Sequence, residues 1–384
     1  MRFEFATATR IVFGPGSLGE AAPAAAAAGK RALMVTGRSA ERAAPLVRQL
    51  ESAGVACVPF AVPVEPTLQL VRHASAYARA ERCDIVVGFG GGSVLDAAKA
   101  LAALLTNDGD PLEYLEVIGR GRPLAHAAAP CIAIPTTAGT GSEVTRNAVL
   151  GSPEHRVKAS LRSAGMLPQL ALVDPELTIG LSRPLTASTG LDALTQLIEP
   201  YVSSRSNPMT DQFCVEGIRR AGAALRRAWQ HGDDREARES MAWAALLGGL
   251  ALANAGLGVV HGFAAPLGGT FAAPHGALCA AVLPHGMEAN VSSLLARAPD
   301  GPALRRYDEI ARLLTCEPHA SARDGVHWVA DLCRQLEIPP LRAYGVQEQD
   351  TPEIVAAAAK TSSMKGNPIH LTASELTDVL LRAI

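Results

Sequence analysis

The stretch Asp84-Ile85-Val86-Val87-Gly88-Phe89-Gly90-Gly91-Gly92-Ser93-Val94-Leu95-Asp96-Ala97-Ala98-Lys99 changes its period in the middle. After Asp84 the residues are apolar, β-leaning and free of polar alternation, which predicts a strand over 84–88 buried on both faces. From Val94 the pattern turns helical and runs to Thr106. Strand, glycine turn and helix in that order form the repeating unit of a parallel, doubly wound sheet. The same alternation extends in both directions. Strands are predicted at Arg31–Thr36, Val55–Phe60, Cys131–Pro135 and Leu170–Val173, with helices over Ala40–Ala53 and Thr67–Arg82 between them. In such sheets ligands bind beyond the carboxyl ends of the strands.

The pattern changes after Asp174-Pro175. From Pro184 onward, Ala/Leu/Arg-rich segments with helical period predict helices over 187–202, 211–230, 234–254, 303–314, 322–336 and 352–361, punctuated by Gly/Pro clusters. The chain of 384 residues therefore divides near residue 180, into an α/β half (1–180) and an all-α half (181–384). Hydrophobic residues make up 48% and charged residues 19%, which excludes intrinsic disorder. Net charge is −2 with no basic block, so nucleic acid is not an expected partner. The seven cysteines show no CxxC spacing and read as small hydrophobes in a reducing compartment. The start, Met1-Arg2-Phe3-Glu4-Phe5, lacks the apolar core of a secretion signal. The longest apolar tract, Trp243 to Val260, is broken by four glycines and an asparagine. The expectation is a cytoplasmic protein with no membrane partner.

Three turns at predicted strand ends are candidates for a dinucleotide. Gly90, Gly91, Gly92 and Ser93 open a helix whose N-terminal amides and partial positive charge suit a phosphate. Taken alone, this also describes an ordinary tight turn, since neither GxGxxG nor GxxxxGK[ST] is present. Thr136-Thr137-Ala138-Gly139-Thr140-Gly141-Ser142-Glu143 places four hydroxyls and two glycines in its first seven residues, suited to a pyrophosphate and a nicotinamide ribose. Gly37-Arg38-Ser39 follows the strand at whose end an adenine ribose is expected, although a plain polar turn has the same composition. With no acid there, and a guanidinium and a hydroxyl in its place, NAD or NADP is expected, NADP slightly favoured.

In the helical half, His261 and His275 lie in apolar, Gly-flanked surroundings where an unpartnered charge would be costly. Asp192 and Gln196 stand at i and i+4, on one face of an apolar helix. A carboxylate, two imidazoles and a further oxygen suit Fe2+ or Zn2+ with an open position for substrate. From spacing alone, a buried histidine is more often a hydrogen-bonded core residue. His73, His126, His155, His231, His319 and His327 read as solvated, and His285 and His370 as packing or pocket lining.

Together these segments resemble the iron-containing (group III) alcohol dehydrogenase family along essentially the whole chain. The resemblance is carried by Gly90-Gly91-Gly92-Ser93 with Asp96 and Lys99, by Pro135 to Glu143, Asp174-Pro175 and Gly190-Leu191-Asp192-Ala193-Leu194. It continues through His261-Gly262, Pro274-His275-Gly276, Asn367-Pro368 and Leu371-Thr372. It implies a Rossmann-like domain followed by a helical domain, the dehydroquinate synthase-like superfold, with a divalent metal between them. It also implies an NAD(P)-dependent oxidoreductase acting on a small alcohol or aldehyde, with a homodimer as the expected assembly. Asp96 is implied as a cofactor residue and Lys158 as a lysine near the nicotinamide. The family's metal ligands are one Asp and three His. Here Asp192, His261 and His275 match, while Gln196 stands where the first histidine belongs, and Ala265 replaces a histidine that often lines the nicotinamide pocket. Leu267-Gly268-Gly269-Thr270-Phe271 resembles the metal-independent maleylacetate reductases, which are the alternative reading. A dehydroquinate synthase-like lyase, or a binding protein that has lost its metal, are the other two.

Overall fold

The computed structural model describes residues 2–155 and 157–384. They form two compact units. One comprises Ala6–Thr137 and Gly141–Thr178; the other is built on Ile179–Ile384 and includes Ala138–Thr140 and the N-terminal residues up to Phe5.

The first unit contains strands β1 (Arg10–Phe13), β2 (Arg31–Thr36), β3 (Ala56–Ala61), β4 (Ile85–Gly90), β5 (Cys131–Pro135), β6 (Asn147–Ser152), β7 (Val157–Arg162) and β8 (Leu170–Val173). Its helices are α1 (Ala21–Ala28), α2 (Ala44–Ser52), α3 (Leu68–Ala80), α4 (Gly92–Thr106) and the single turn α5 (Pro111–Tyr114). Six strands make one parallel sheet in the order β1-β8-β5-β4-β2-β3, and β6 and β7 pair separately as an antiparallel ribbon. The period of two along each strand sorts the side chains. Leu33, Val35 and Val86 enter one core with Val71 and Ala74 of α3 and Leu101 and Leu104 of α4. Ala32, Met34, Ile85 and Val87 enter the other, with Ala25 of α1 and Leu46 and Leu50 of α2. Covered on both faces, the inner strands β2, β4, β5 and β8 are near-continuously apolar, as the sequence predicts, while the edge strands β1 and β3 are partly exposed.

Several details differ from the sequence expectation. β4 runs to Gly90 and α4 starts at Gly92, so the connection is Gly91 alone. The predicted helix over 40–53 splits into a 3-10 turn, Ala40–Ala43, and α2, because Pro45 has no amide to donate and starts a helix instead. The β6–β7 ribbon and the short edge strand β1 lie outside the strands the sequence predicts; β6 is buried only at every second residue.

The second unit is helical: α6 (Arg183–Val202), α7 (Pro208–Gln230), α8 (Arg235–Ala255), α9 (Val259–Thr270), α10 (His275–Arg297), α11 (Pro302–Thr315), α12 (Ala322–Gln335), α13 (Thr351–Ala358) and α14 (Ala373–Ala383). The apolar tract Trp243 to Val260 spans the end of α8 and the start of α9, which meet at 95° with Gly256 at φ 77° in the turn. Among the described residues no single helix is long and apolar enough to cross a membrane.

Candidate functional site

α6 is a buried helix with polar side chains on one face. Asp192, Gln196 and Glu199 follow at i, i+4 and i+7, and their residues are 1%, 2% and 5% exposed. Burying three such groups on an apolar helix is unfavourable unless each finds a partner.

Glu199 has two. Its Oε1 accepts the Val260 amide at 2.6 Å, and its Oε2 lies 2.7 Å from His261 Nδ1. The first bond caps α9, whose N-cap Gly258 has no side chain; Asn367 Oδ1 accepts the neighbouring Val259 amide at 3.1 Å. The second places a proton on His261 Nδ1, so Nε2 is the ring nitrogen that a metal would take. That Nε2 lies 3.5 Å from Asp192 Oδ1.

His275 is the first residue of α10, and its Nε2 lies 3.8 Å from the same Asp192 oxygen. A Cβ on Gly276 would stand 2.7 Å from the Ser188 carbonyl oxygen, so only glycine permits this approach of α10 to α6. One turn further on, Cys279 places Sγ 3.6 Å from His275 Nε2. Asp192, His261, His275 and Cys279 each offer a donor atom, all within 4.8 Å of one another.

The site's charge balance is uneven. Burial pushes the Asp192 carboxyl up, but His275, His261 and Gln196 together hold it below the usual range. Burial pushes His261 down, yet Cys279, Asp192 and Glu199 hold it well above its ordinary value. The Cys279 sulfur raises His275 to about 9, against burial and with help from Asp192. Such surroundings favour positive charge. Asp192 Oδ1 and Gln196 Oε1 are also buried with no hydrogen-bond partner, an expensive arrangement that a cation at this point relieves. Carboxylate, imidazole and thiolate are all ligands for a divalent metal, so the residues fit one.

The nucleotide candidates lie mainly in the α/β unit. Gly91 caps α4 without a side-chain bond, leaving the first amides, at Gly92 and Ser93, without a side-chain acceptor from their cap. The Thr136 amide donates to the Gly90 carbonyl at 2.9 Å, and a Cβ on Gly91 would come within 3.3 Å of Thr137 Oγ1, so the two strand-end loops are neighbours. Thr140 groups with the helical unit. Asp96 is occupied within the protein: it accepts the Ser142 hydroxyl at 2.5 Å and the Val149 amide at 2.9 Å. Its Oδ1 is also 3.1 Å from the fully buried Lys99 ammonium, which donates to Thr145 Oγ1 at 2.8 Å. Lys158, on β7, pairs with Glu65. Gly37, Arg38 and Ser39 follow β2, with Arg38 and Ser39 exposed.

The sequence of the α/β unit matches the model for iron-containing alcohol dehydrogenases over residues 8–175, and the model for the C-terminal part of that family matches residues 186–384. The chain belongs to the iron-containing alcohol dehydrogenase family. It is 35% identical to the 1,3-propanediol dehydrogenase of Citrobacter freundii over 372 residues, 92% of each chain. The crystal structure of a 1,3-propanediol oxidoreductase superposes with a TM-score of 0.92 over 100% of both chains at 34% identity. Sulfoacetaldehyde reductase from Bifidobacterium kashiwanohense, solved in complex with NAD+, gives a TM-score of 0.86 at 28% identity over 99% of this chain and 98% of that one.

As a member of the iron-containing alcohol dehydrogenase family, the chain is an oxidoreductase. Two site residues escape sequence reasoning. Cys279, read as a small hydrophobe, sits in the donor cluster; the available signal was its i, i+4 spacing from His275. Glu199 sits 62 positions from the histidine it orients, and only its place on the Asp192–Gln196 face hints at a role. The six histidines read as solvated are all exposed.

Proposed function

We propose that this member of the family interconverts a small alcohol and its aldehyde or ketone, using NAD(P) and one divalent metal per chain. The observation that carries the reading is Asp192 Oδ1, buried without a hydrogen-bond partner beside the Nε2 atoms of two histidines. Asp192, His261 and His275 would hold the ion, with Gln196 or water completing the shell. When bound, the ion supplies Lewis acidity toward the substrate oxygen and the nicotinamide donates or accepts the hydride.

The chain's own residues do the positioning. Glu199 holds His261 by its Nδ1 proton and keeps Nε2 turned to Asp192. The Gly92 and Ser93 amides, at the start of α4, would bind the cofactor phosphates, and Thr136, Thr137, Thr140 and Ser142 would supply hydroxyls around them. Asp96 and Lys99 would keep the Ser142 segment against α4. Lys158 would lie toward the nicotinamide, with Glu65 sharing its charge. Gly37, Arg38 and Ser39 would accept a 2′-phosphate, which favours NADP.

The names of the relatives support small alcohols and diols as substrates and NAD as one usable cofactor. Seven free cysteines support a reducing, cytoplasmic setting. A homodimer, and a functional division at 1–180 and 181–384, complete the proposal. Steady-state oxidation of short primary alcohols and diols, and reduction of their aldehydes, tests it with both cofactors; turnover of neither class overturns it.

A further inference from the structure

Gln196 occupies the ligand position at which its amide oxygen is a weaker donor to Fe2+ or Zn2+ than an imidazole. A stronger donor stands in the cluster with Asp192, His261 and His275. Cys279 is fully buried on α10, one turn beyond His275, and its Sγ lies 3.6 Å from His275 Nε2. A tetrahedral ion with metal–sulfur and metal–nitrogen distances of about 2.3 and 2.0–2.1 Å holds two such donors roughly 3.6 Å apart. The separation of His261 Nε2 from Asp192 Oδ1, 3.5 Å, is close to the roughly 3.4 Å that the same geometry gives for nitrogen and oxygen. The cysteine is not alone: Asp192 Oδ1 and Gln196 Oε1, both nine-tenths buried or more, lack hydrogen-bond partners at the same place.

We propose that the Cys279 thiolate is the fourth protein ligand of the metal, joining Asp192, His261 and His275 in place of the imidazole that Gln196 does not provide. This rests on the metal reading above and adds to it a sulfur donor. A second anionic ligand, and a soft one, shifts the site from Fe2+ toward Zn2+. Metal binding displaces the thiol proton to solvent, and no electron changes hands.

Cobalt tests the assignment without reference to turnover. The full-length protein is stripped with a chelator and titrated anaerobically with Co2+ under an absorbance spectrometer. The expected spectrum has visible ligand-field bands and a near-ultraviolet thiolate-to-cobalt charge-transfer band, both saturating at one equivalent. Cys279→Ser keeps the visible bands and loses the near-ultraviolet one. Cys279→Ala lowers zinc affinity by at least ~10–100-fold, the loss that even an outer-shell partner can cause. Gln196→His in the Cys279→Ala background recovers that affinity without the charge-transfer band. Stoichiometric cobalt with ligand-field bands but no charge-transfer band in the unsubstituted protein overturns the sulfur ligand and leaves the metal reading standing. Failure to take up cobalt at all overturns both.

Discussion

Glu199 and His261 are joined by a 2.7 Å contact from Oε2 to Nδ1, while the other oxygen of the same carboxylate caps the helix that carries the histidine. One side chain thus sets both the position of α9 and the tautomer of its imidazole. Glu199→Gln retains an oxygen for the Val260 amide but not a second acceptor for the His261 proton. Metal affinity is expected to fall about 10–100-fold, with the helical content unchanged. Competition against a chromophoric chelator measures it; an unaltered affinity would show that His261 needs no such anchor.

Asp96 joins α4 to the Ser142 segment and to β6, and is the carboxylate partner of the fully buried Lys99. Removing one member of a buried pair leaves the other uncompensated. Asp96→Ala is expected to destabilise by about 3–5 kcal/mol, and Asp96→Ala with Lys99→Met by less. Denaturant unfolding of the three proteins decides between this network and a dispensable one.

Burial pushes the Glu143 carboxyl up from 4.5 to about 7, with the Lys99 charge opposing. An acid raised in the folded state binds its proton more tightly there than in the unfolded chain. Its stabilising contribution is therefore present below about pH 4.5 and is lost as pH rises through about 7. The stability difference between Glu143→Gln and the unsubstituted protein should move in the variant's favour over that window, by up to roughly 3 kcal/mol. A difference independent of pH would place a charged, well-solvated carboxylate at this position.

The fold is largely legible in the sequence where burial is two-sided. Arg31–Thr36, Cys131–Pro135 and Leu170–Val173 have the bounds their apolar runs predict. The β6–β7 ribbon is not among the predicted strands, because NAVLGS and VKASLR are short and lack the continuous apolar run that marks the sheet strands. α9 and α10 carry five of the chain's glycines and two internal prolines, which hide their helical period. The site follows the same division. Asp192, His261 and His275 stand out as polar residues in apolar surroundings. Cys279 does not, since a cysteine in an apolar helix looks like core until folding brings a carboxylate and two imidazoles beside it.

Gly37 carries the cofactor preference. Gly37→Asp places a carboxylate where a 2′-phosphate would lie, and a lost charge-assisted hydrogen bond there is worth roughly 1.5–3 kcal/mol, or about one to two orders of magnitude in preference. The unsubstituted enzyme should use NADPH at least as well as NADH, and the variant should reverse this. Steady-state kinetics that strongly favour NADH in both proteins would show that the ribose is read elsewhere.

The central claim is that the Asp192, His261 and His275 cluster works by holding a metal. It is tested most directly by measuring alcohol-dependent NAD(P)+ reduction before chelation, after it, and after stepwise return of Zn2+ or Fe2+. The account predicts activity that vanishes with the metal and returns in proportion to it, reaching a plateau near one ion per chain. Full activity in protein shown to be metal-free would contradict it and point to the metal-independent mode of reduction.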